Sequence, residues 1–343
     1  MSNTIPMPSD TYQALVVDQQ NDEVFTEIRS RRIEELPEGE LLVRVHYSSV
    51  NYKDALACTK GGNVVRHYPF IPGIDLAGVV VRSRSDAFQE GEEVFATGYE
   101  LGVTHEGGFG GYASIPAAWA MHVPQGLTLM ETMMLGTAGL TAALSVAALQ
   151  ANGIQPASGP ILVTGASGGV GSLSAGMLAK LGYEVTASTG KPDMRERLLR
   201  LGAAKVVDRA AVLGDTAAAR PLQKQVWAGA VDSVGGSVLA AILSQLRYGG
   251  VVAASGLTGG TVLPTTVLPF ILRGVRLIGI DSVYAETDVR RRMWERMASS
   301  YRIDGLADIC TVIPLNGVPE AVHAAMRGES RGRVVVRHEH PAR

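Results

Sequence analysis

The stretch Ile161-Leu-Val-Thr-Gly-Ala-Ser-Gly-Gly-Val-Gly171 constrains the fold more than any other, because an apolar run ends in a glycine-rich turn that opens a helical pattern. Short apolar runs bounded by glycine read as strands buried on both faces of a parallel sheet. Glycine in the turn lets the backbone come close to a pyrophosphate. The free N–H groups and dipole of the following helix then stabilise the phosphate charge. Ala166, Gly168 and Gly171 occupy the three places of the dinucleotide fingerprint, with Ala in the first. Gly165 and Gly169 add backbone freedom, and Ser167 and Val170 complete the turn. The competing reading is a tight strand–helix turn that binds nothing.

The surroundings extend this reading. From Tyr12 to about Pro124 the apolar runs are short and broken by turn residues: Gln13–Val17, Leu41–Val45, Leu76–Val81, Glu93–Ala96 and Gly111–Ile115. This part reads as mostly β. Beyond Pro124 strands and helices alternate. Helices are expected at Thr132–Gln150, Gly169–Leu181, Asp193–Leu201 and Ser237–Leu246, and strands at Ile161–Thr164, Glu184–Ala187, Lys205–Val207, Gly229–Ser233 and Val251–Ala254. Leu277–Ile280 reads as the last strand of that group, Glu286–Ser299 as a charged helix and Gly332–Val336 as a final strand. Alternation of this kind predicts a parallel sheet wound on both faces. The fold class is therefore α/β, with a β-rich domain over 1–130 completed by 283–343 and a doubly wound domain over 131–282.

A chain of 343 residues is long enough for two such cores. Its 31 Lys+Arg against 33 Asp+Glu leave no basic block for nucleic acid. Cys58 and Cys310 are the only cysteines, too few for a disulfide framework or a Cys-rich zinc site, and they suit a reducing compartment. The start shows no secretory pattern, so a cytoplasmic location is expected. From Thr132 to Ala179 there is no Asp, Glu, Lys, Arg or His. Gln150, Asn152, Gln155 and two prolines interrupt that run, which reads as a buried helix followed by a buried strand, not as a membrane span.

Cofactor choice is set at the end of the second strand of the wound sheet, where an acid would accept from the ribose hydroxyls of NAD. Here the strand continues into Ser188-Thr189-Gly190-Lys191, and Arg209 follows the third strand. Hydroxyls and two cations suit a 2′-phosphate and predict NADPH. As ordinary solvated cations, Lys191 and Arg209 would carry no such role.

Five segments carry a resemblance: Ser49-Val-Asn-Tyr-Lys-Asp-Ala55, Pro72-Gly-Ile-Asp-Leu-Ala-Gly78, Gly136-Thr-Ala-Gly-Leu-Thr141, Lys224 to Asp232 and Leu263 to Arg273. Together the chain resembles the medium-chain dehydrogenase/reductase superfamily, with a GroES-like β domain and a Rossmann domain, and within its quinone oxidoreductase branch the acryloyl-CoA reductase group. By that resemblance, Asn51, Ile74 and Thr137 stand where zinc members carry their catalytic ligands, which implies a site working without metal. A metal-free site suits hydride addition to a double bond conjugated to a carbonyl. Asn51 is then the candidate donor to the carbonyl oxygen, Tyr52 covers the cofactor, and Asp54 backs them. Alternatively Asn51 and Asp54 only cap a buried turn. The resemblance also assigns Thr137, Thr141, Leu257, Ile271, Ser282 and Arg333 to the cofactor, and makes the strand near Arg276–Ile280 a homodimer edge. The implied activity is NADPH-dependent reduction of a short 2-enoyl-CoA. An enone or quinone reductase and a nucleotide-binding protein without turnover are the competing readings.

Overall fold

The computed structural model describes residues 11–214 and 220–340. Strands are β1 (Thr11–Gln20), β2 (Glu23–Arg32), β3 (Leu41–Val50), β4 (Asp75–Ser83), β5 (Glu93–Thr97), β6 (Tyr112–Ile115), β7 (Met121–His122), β8 (Ile161–Val163), β9 (Val185–Ser188), β10 (Lys205–Val207), β11 (Trp227–Asp232), β12 (Leu246–Ala254), β13 (Arg276–Gly279), β14 (Cys310–Pro314) and β15 (Arg333–Arg337). Helices are α1 (Tyr52–Ala57), α2 (Leu129–Ala151), α3 (Gly169–Lys180), α4 (Arg195–Arg200), α5 (Arg209–Leu213), α6 (Gly236–Gln245), α7 (Leu268–Arg273), α8 (Thr287–Ala298) and α9 (Val318–Met326).

The chain forms two compact units. One takes the chain up to Thr137 and again from Cys310; the other is Ala138–Ile309. These divisions lie beyond the boundaries expected near 130 and 282. Residues 133–137 hydrogen-bond within the first unit, as described below. The segment after α8 belongs to the second unit because Tyr301 Oη donates to Gln150 Oε1 at 2.6 Å and Ile303 seats on Gly176.

In the first unit the sheet order is β14-β15-β3-β4-β5-β7, with β6 also paired to β3, and β1-β2 form a separate two-stranded ribbon. β15 runs antiparallel to β3, Val334 opposite Val50 and Arg337 opposite Tyr47. β15 thus extends the sheet that β3 began far earlier in the chain. Leu41, Val43, Val45, Leu76 and Val94 make one fully buried cluster, and Leu15, Val17, Ile71 and Val336 belong to another.

In the second unit the sheet is parallel and its order is β10-β9-β8-β11-β12-β13. Counted from β8, strand order reverses between the first and fourth strands, and in open wound sheets ligands bind outside the carboxyl ends of strands at such a reversal. Ile161, Leu162 and Val163 are fully buried, and α3 covers them with Leu173, Ala175, Met177 and Leu178. Each such aliphatic side chain contributes ~1.5–3 kcal/mol by leaving water. α2 is long and apolar enough to cross a membrane, yet 78% of its apolar window is buried inside the protein, and Gly136 breaks it with non-helical angles.

Candidate active site

In the second unit a candidate site lies at the carboxyl ends of β8, β9 and β11. β8 passes into Gly165 at φ +56, and Gly168 precedes α3 with no side chain capping the helix. The opening N–H groups of a helix have no partners within it and are directed at whatever lies before it. Added Cβ atoms distinguish the glycines. At Gly171 a Cβ would lie 2.3 Å from the Gly165 carbonyl oxygen, so this glycine is required for helix and strand to pack. At Gly168 its nearest neighbour would be that same oxygen at 3.3 Å, a tight contact that a shift of a few tenths of an ångström relieves, so this position is far less crowded than Gly171. A cradle that a Cβ would fill, an uncapped helix start and a glycine turn together fit a dinucleotide pyrophosphate. Ala166 is buried and its N–H donates to Ser188 O, which ties the turn to β9. Gly169 and Val170 form the half-exposed first turn of α3.

The end of β9 carries the groups expected to choose the cofactor. Thr189 is buried; its hydroxyl donates to Ser167 Oγ at 2.9 Å and accepts from Lys191 N–H at 3.1 Å. The Thr189 proton is therefore engaged, and the Ser167 hydroxyl keeps its own. Ser188 is buried, Lys191 half-buried and Arg209 exposed. A Cβ on Gly190 would stand 3.8 Å from Arg209 Nη2, so the guanidinium reaches the end of β9. Farther along the same unit Leu257 and Ile271 are 58% and 72% exposed. Thr141 Oγ1 donates to Ser282 Oγ at 2.8 Å, both buried. Sequence reasoning missed Arg290, because an arginine in a charged helix reads as solvated. It is 1% exposed and holds the loop of Ser282, donating to the carbonyls of Ser282 and Val283 at 2.8 Å and of Ala285 at 3.1 Å.

The first unit carries its own candidate region, a buried polar cluster. Arg333 on β15 is 3% exposed. Its Nε donates to Met134 O, Nη1 to Val50 O and Asn51 Oδ1, and Nη2 to Ser49 Oγ and Met133 O. A guanidinium has five N–H donors, so five acceptors leave none over. This cation, expected at the cofactor, has all its donors engaged within the first unit and organises that unit from within. Burial holds it below its ordinary pKa, while the Asp75 carboxylate, 3.8 Å away, works the other way.

Asp75 is fully buried and accepts from Ser49 Oγ at 2.6 Å, Asn51 Nδ2 at 2.8 Å, Thr137 N at 3.0 Å and Thr137 Oγ1 at 2.5 Å. Asn51 Nδ2 also donates to Ser49 O at 3.3 Å. Both amide hydrogens and the amide oxygen of Asn51 are thus engaged, which turns the expected carbonyl donor into a group held inside the network. Asp54 Oδ2 accepts from Asn51 N–H at 2.7 Å and Oδ1 from Ile74 N–H at 2.9 Å, fastening the start of α1 to the approach of β4. Burial, reinforced by the Asp75 charge, pushes the Asp54 carboxyl up to about 7. Tyr52 differs from its neighbours: it is 43% exposed and its hydroxyl has no partner among the described residues. Ser49 and Asp75 were missed in the sequence. The available signal was an acid opening the otherwise apolar strand Asp75-Leu-Ala-Gly-Val-Val-Val81.

The three positions that hold zinc ligands in other dehydrogenases do not fit the metal. Ile74 offers an alkyl group, and Asn51 and Thr137 are bound to Asp75. No group of three His, Cys, Asp or Glu side chains suited to a metal occurs among the described residues.

Two family models match the chain: the alcohol dehydrogenase GroES-like domain over residues 37–125 and the zinc-binding dehydrogenase domain over 169–299. A Bacillus subtilis protein under the name quinone oxidoreductase YhfP is 50% identical over 96% of this chain and 99% of its own length. Its structure with NAD bound superposes with a TM-score of 0.93, covering 96% of this chain and all of that one at 49% identity. The acrylyl-CoA reductase AcuI of Ruegeria pomeroyi is 45% identical over 95% of this chain and 98% of its own. The Salmonella enterica oxidoreductase yhdH, solved with NADP, has a TM-score of 0.92 and 44% identity over 95% of this chain and all of its own. With both domain models in order and relatives matched along nearly their whole length, the chain belongs to the medium-chain dehydrogenase/reductase superfamily, in its zinc-independent quinone oxidoreductase branch.

Proposed function

We propose that the protein uses NADPH to reduce the conjugated C=C bond of a short 2-enoyl-CoA, acryloyl-CoA, to propionyl-CoA. The observation that carries this reading is the closed hydrogen-bond network at the metal positions, which leaves carbonyl polarisation to an organic donor. Tyr52 is that donor, with the one uncommitted hydroxyl of the Asn51–Asp54 segment. When bound, NADPH supplies the hydride. Ser167, Lys191 and Arg209 take its 2′-phosphate, Gly168, Gly169 and Val170 its pyrophosphate, and Leu257, Ile271 and Ser282 line the nicotinamide. As the β-carbon of the substrate accepts hydride, charge gathers on the thioester oxygen, and one well-placed donor there stabilises the transition state by ~3–4 kcal/mol. Asn51, Asp75 and Arg333 fix the start of α1, and with it the backbone of Tyr52. A thioester takes up this charge more readily than a carboxylate, so free acrylate is a poor substrate. The relative named acrylyl-CoA reductase supports the substrate class. A cytoplasmic homodimer, paired through the outer edge of β13, belongs to the same reading.

The relative named as a quinone oxidoreductase favours a second reading, reduction of quinones. Steady-state kinetics under the same NADPH decide between them. Acryloyl-CoA is expected to show the larger kcat/KM, undiminished after EDTA treatment, and Tyr52→Phe is expected to lower its turnover by roughly 100-fold. Quinone reduction at equal or greater kcat/KM replaces the enoyl-CoA reading.

A further inference from the structure

The first unit carries a cationic lobe beside Tyr52. Between Val50 and Asp75 the only acids are Asp54 and Asp75, both fully buried. The exposed or half-exposed charges of that segment are therefore all basic: Lys53, Lys60 and Arg66, with His67 beside them. Lys60 is matched by Asp22 at 2.5 Å. The side chains of Lys53, Arg66 and His67 enter no hydrogen bond or ion pair with any described residue.

Packing fixes where these groups stand. The loop after α1 folds back on the helix so tightly that a Cβ on Gly62 would lie 1.9 Å from Leu56 O. Val65 and Phe70 pack on Ala57, with Val64 and Tyr68 against them. Arg66 and His67, between Val65 and Tyr68, are therefore presented at the far end of α1, while Lys53 follows Tyr52 at the near end. Six helical residues separate the two ends by ~9 Å. A thioester carbonyl near Tyr52 and an anionic group near Arg66 and His67 suit one ligand that carries its charge on a flexible arm.

We propose that Arg66 and His67 dock the phosphate groups of the CoA carrier, an inference that rests on the enoyl-CoA reading. Coenzyme A bears a diphosphate and a 3′-phosphomonoester, and Arg and Lys recognise these by charge-assisted hydrogen bonds. A simple quinone brings no such charge. The lobe therefore gives the site a preference for the carrier in addition to that for the acyl group.

Acryloyl-CoA and acryloyl-pantetheine, which lacks the phosphates, are compared in the wild type and in the double variant Arg66→Gln/His67→Gln. Two lost charge-assisted contacts are expected to raise KM for acryloyl-CoA by at least ~10-fold, with kcat and the KM for acryloyl-pantetheine unchanged. Titration calorimetry of free CoA into protein saturated with NADP+ supplies the independent arm: the wild type is expected to bind, and the double variant to bind at least ~10-fold more weakly. Equal CoA binding by both proteins, no CoA binding by either, or equal KM shifts for both thioesters overturns the dock. If neither thioester is reduced while CoA binding still depends on Arg66 and His67, the dock stands and the proposed reaction fails.

Discussion

Arg333 shows how one residue sets the character of the first unit. Transferring a guanidinium into the interior costs several kcal/mol, and only a full set of partners offsets that cost. Here five donors meet five acceptors drawn from two segments, Ser49 to Asn51 and Met133–Met134, and Ser49 and Asn51 in turn donate to Asp75. Replacement by Met would keep much of the volume and strand those acceptors beside a buried carboxylate. Arg333→Met is expected to lower stability by ~3–5 kcal/mol in denaturant titrations. Lysine restores the charge but not the planar fork, so Arg333→Lys is expected to recover part of that loss. Since no guanidinium donor is left for a ligand, NADPH affinity of folded Arg333→Lys, read by tryptophan quenching, is expected to stay within ~3-fold of wild type. A loss above 10-fold, ~1.4 kcal/mol, with the fold intact would restore the direct cofactor contact.

At the scale of elements, the β8–turn–α3 unit separates glycines that serve packing from glycines that leave room for a ligand. Gly171→Ala drives a methyl group to 2.3 Å from the Gly165 carbonyl oxygen, so the helix must move off its strand. A loss of ~1–3 kcal/mol, typical of overpacking, is expected. Gly168→Ala meets the Gly165 carbonyl oxygen at 3.3 Å, which a shift of a few tenths of an ångström relieves, at φ −90, which alanine adopts freely. Its melting temperature is expected to fall by less than that of Gly171→Ala, while NADPH binding drops by ~10-fold or more, because the methyl occupies the pyrophosphate cradle. A Gly168→Ala protein that binds NADPH normally would place the cofactor elsewhere.

The same unit was legible in the sequence because local period, glycine spacing and burial all agree there. β2 was not: Glu23, Glu27, Arg29, Arg31 and Arg32 mask its alternation, and the strand is made by pairing with β1 across the Asn21–Asp22 turn, both at positive φ. The buried cluster was half legible for a related reason. Asn51 and Asp54 sit in a recognisable segment, whereas their partners Asp75 and Arg333 lie 24 and 282 residues from Asn51, and no local pattern reports such contacts.

The molecule as a whole carries opposing responses to acid. His46, His338 and His340 gather where β15 and its extension meet β3: the His46 and His340 rings are 5.3 Å apart, and His338 shares a 2.8 Å hydrogen bond with Ser48. Burial holds His46 at about 4 and His338 at about 3, with the neighbouring imidazoles adding to the effect, and His340 is also lowered. Above the ordinary histidine value of 6.5 both native and unfolded chains keep these rings neutral. Below it the unfolded chain takes up protons that the native chain refuses, so each ring removes up to ~1.4 kcal/mol of stability per pH unit until its own folded pKa is reached. Asp54 has the reverse sign. Its folded value of about 7 lies above the ordinary 3.8, so between these values the native chain holds the extra proton and gains stability as pH falls. The prediction is therefore a difference of two signs. His46→Phe keeps a ring beside His340, and because His46 Nε2 has no hydrogen-bond partner among the described residues it loses no bond there. Its melting temperature relative to wild type is expected to rise as pH is lowered from 6.5 to about 4. For Asp54→Asn, whose amide cannot accept at both positions and so destabilises at every pH, the deficit is expected to deepen over the same range. Thermal melts of the three proteins across that interval check both signs, and parallel curves for all three would mean that neither group is neutral in the native molecule at these pH values.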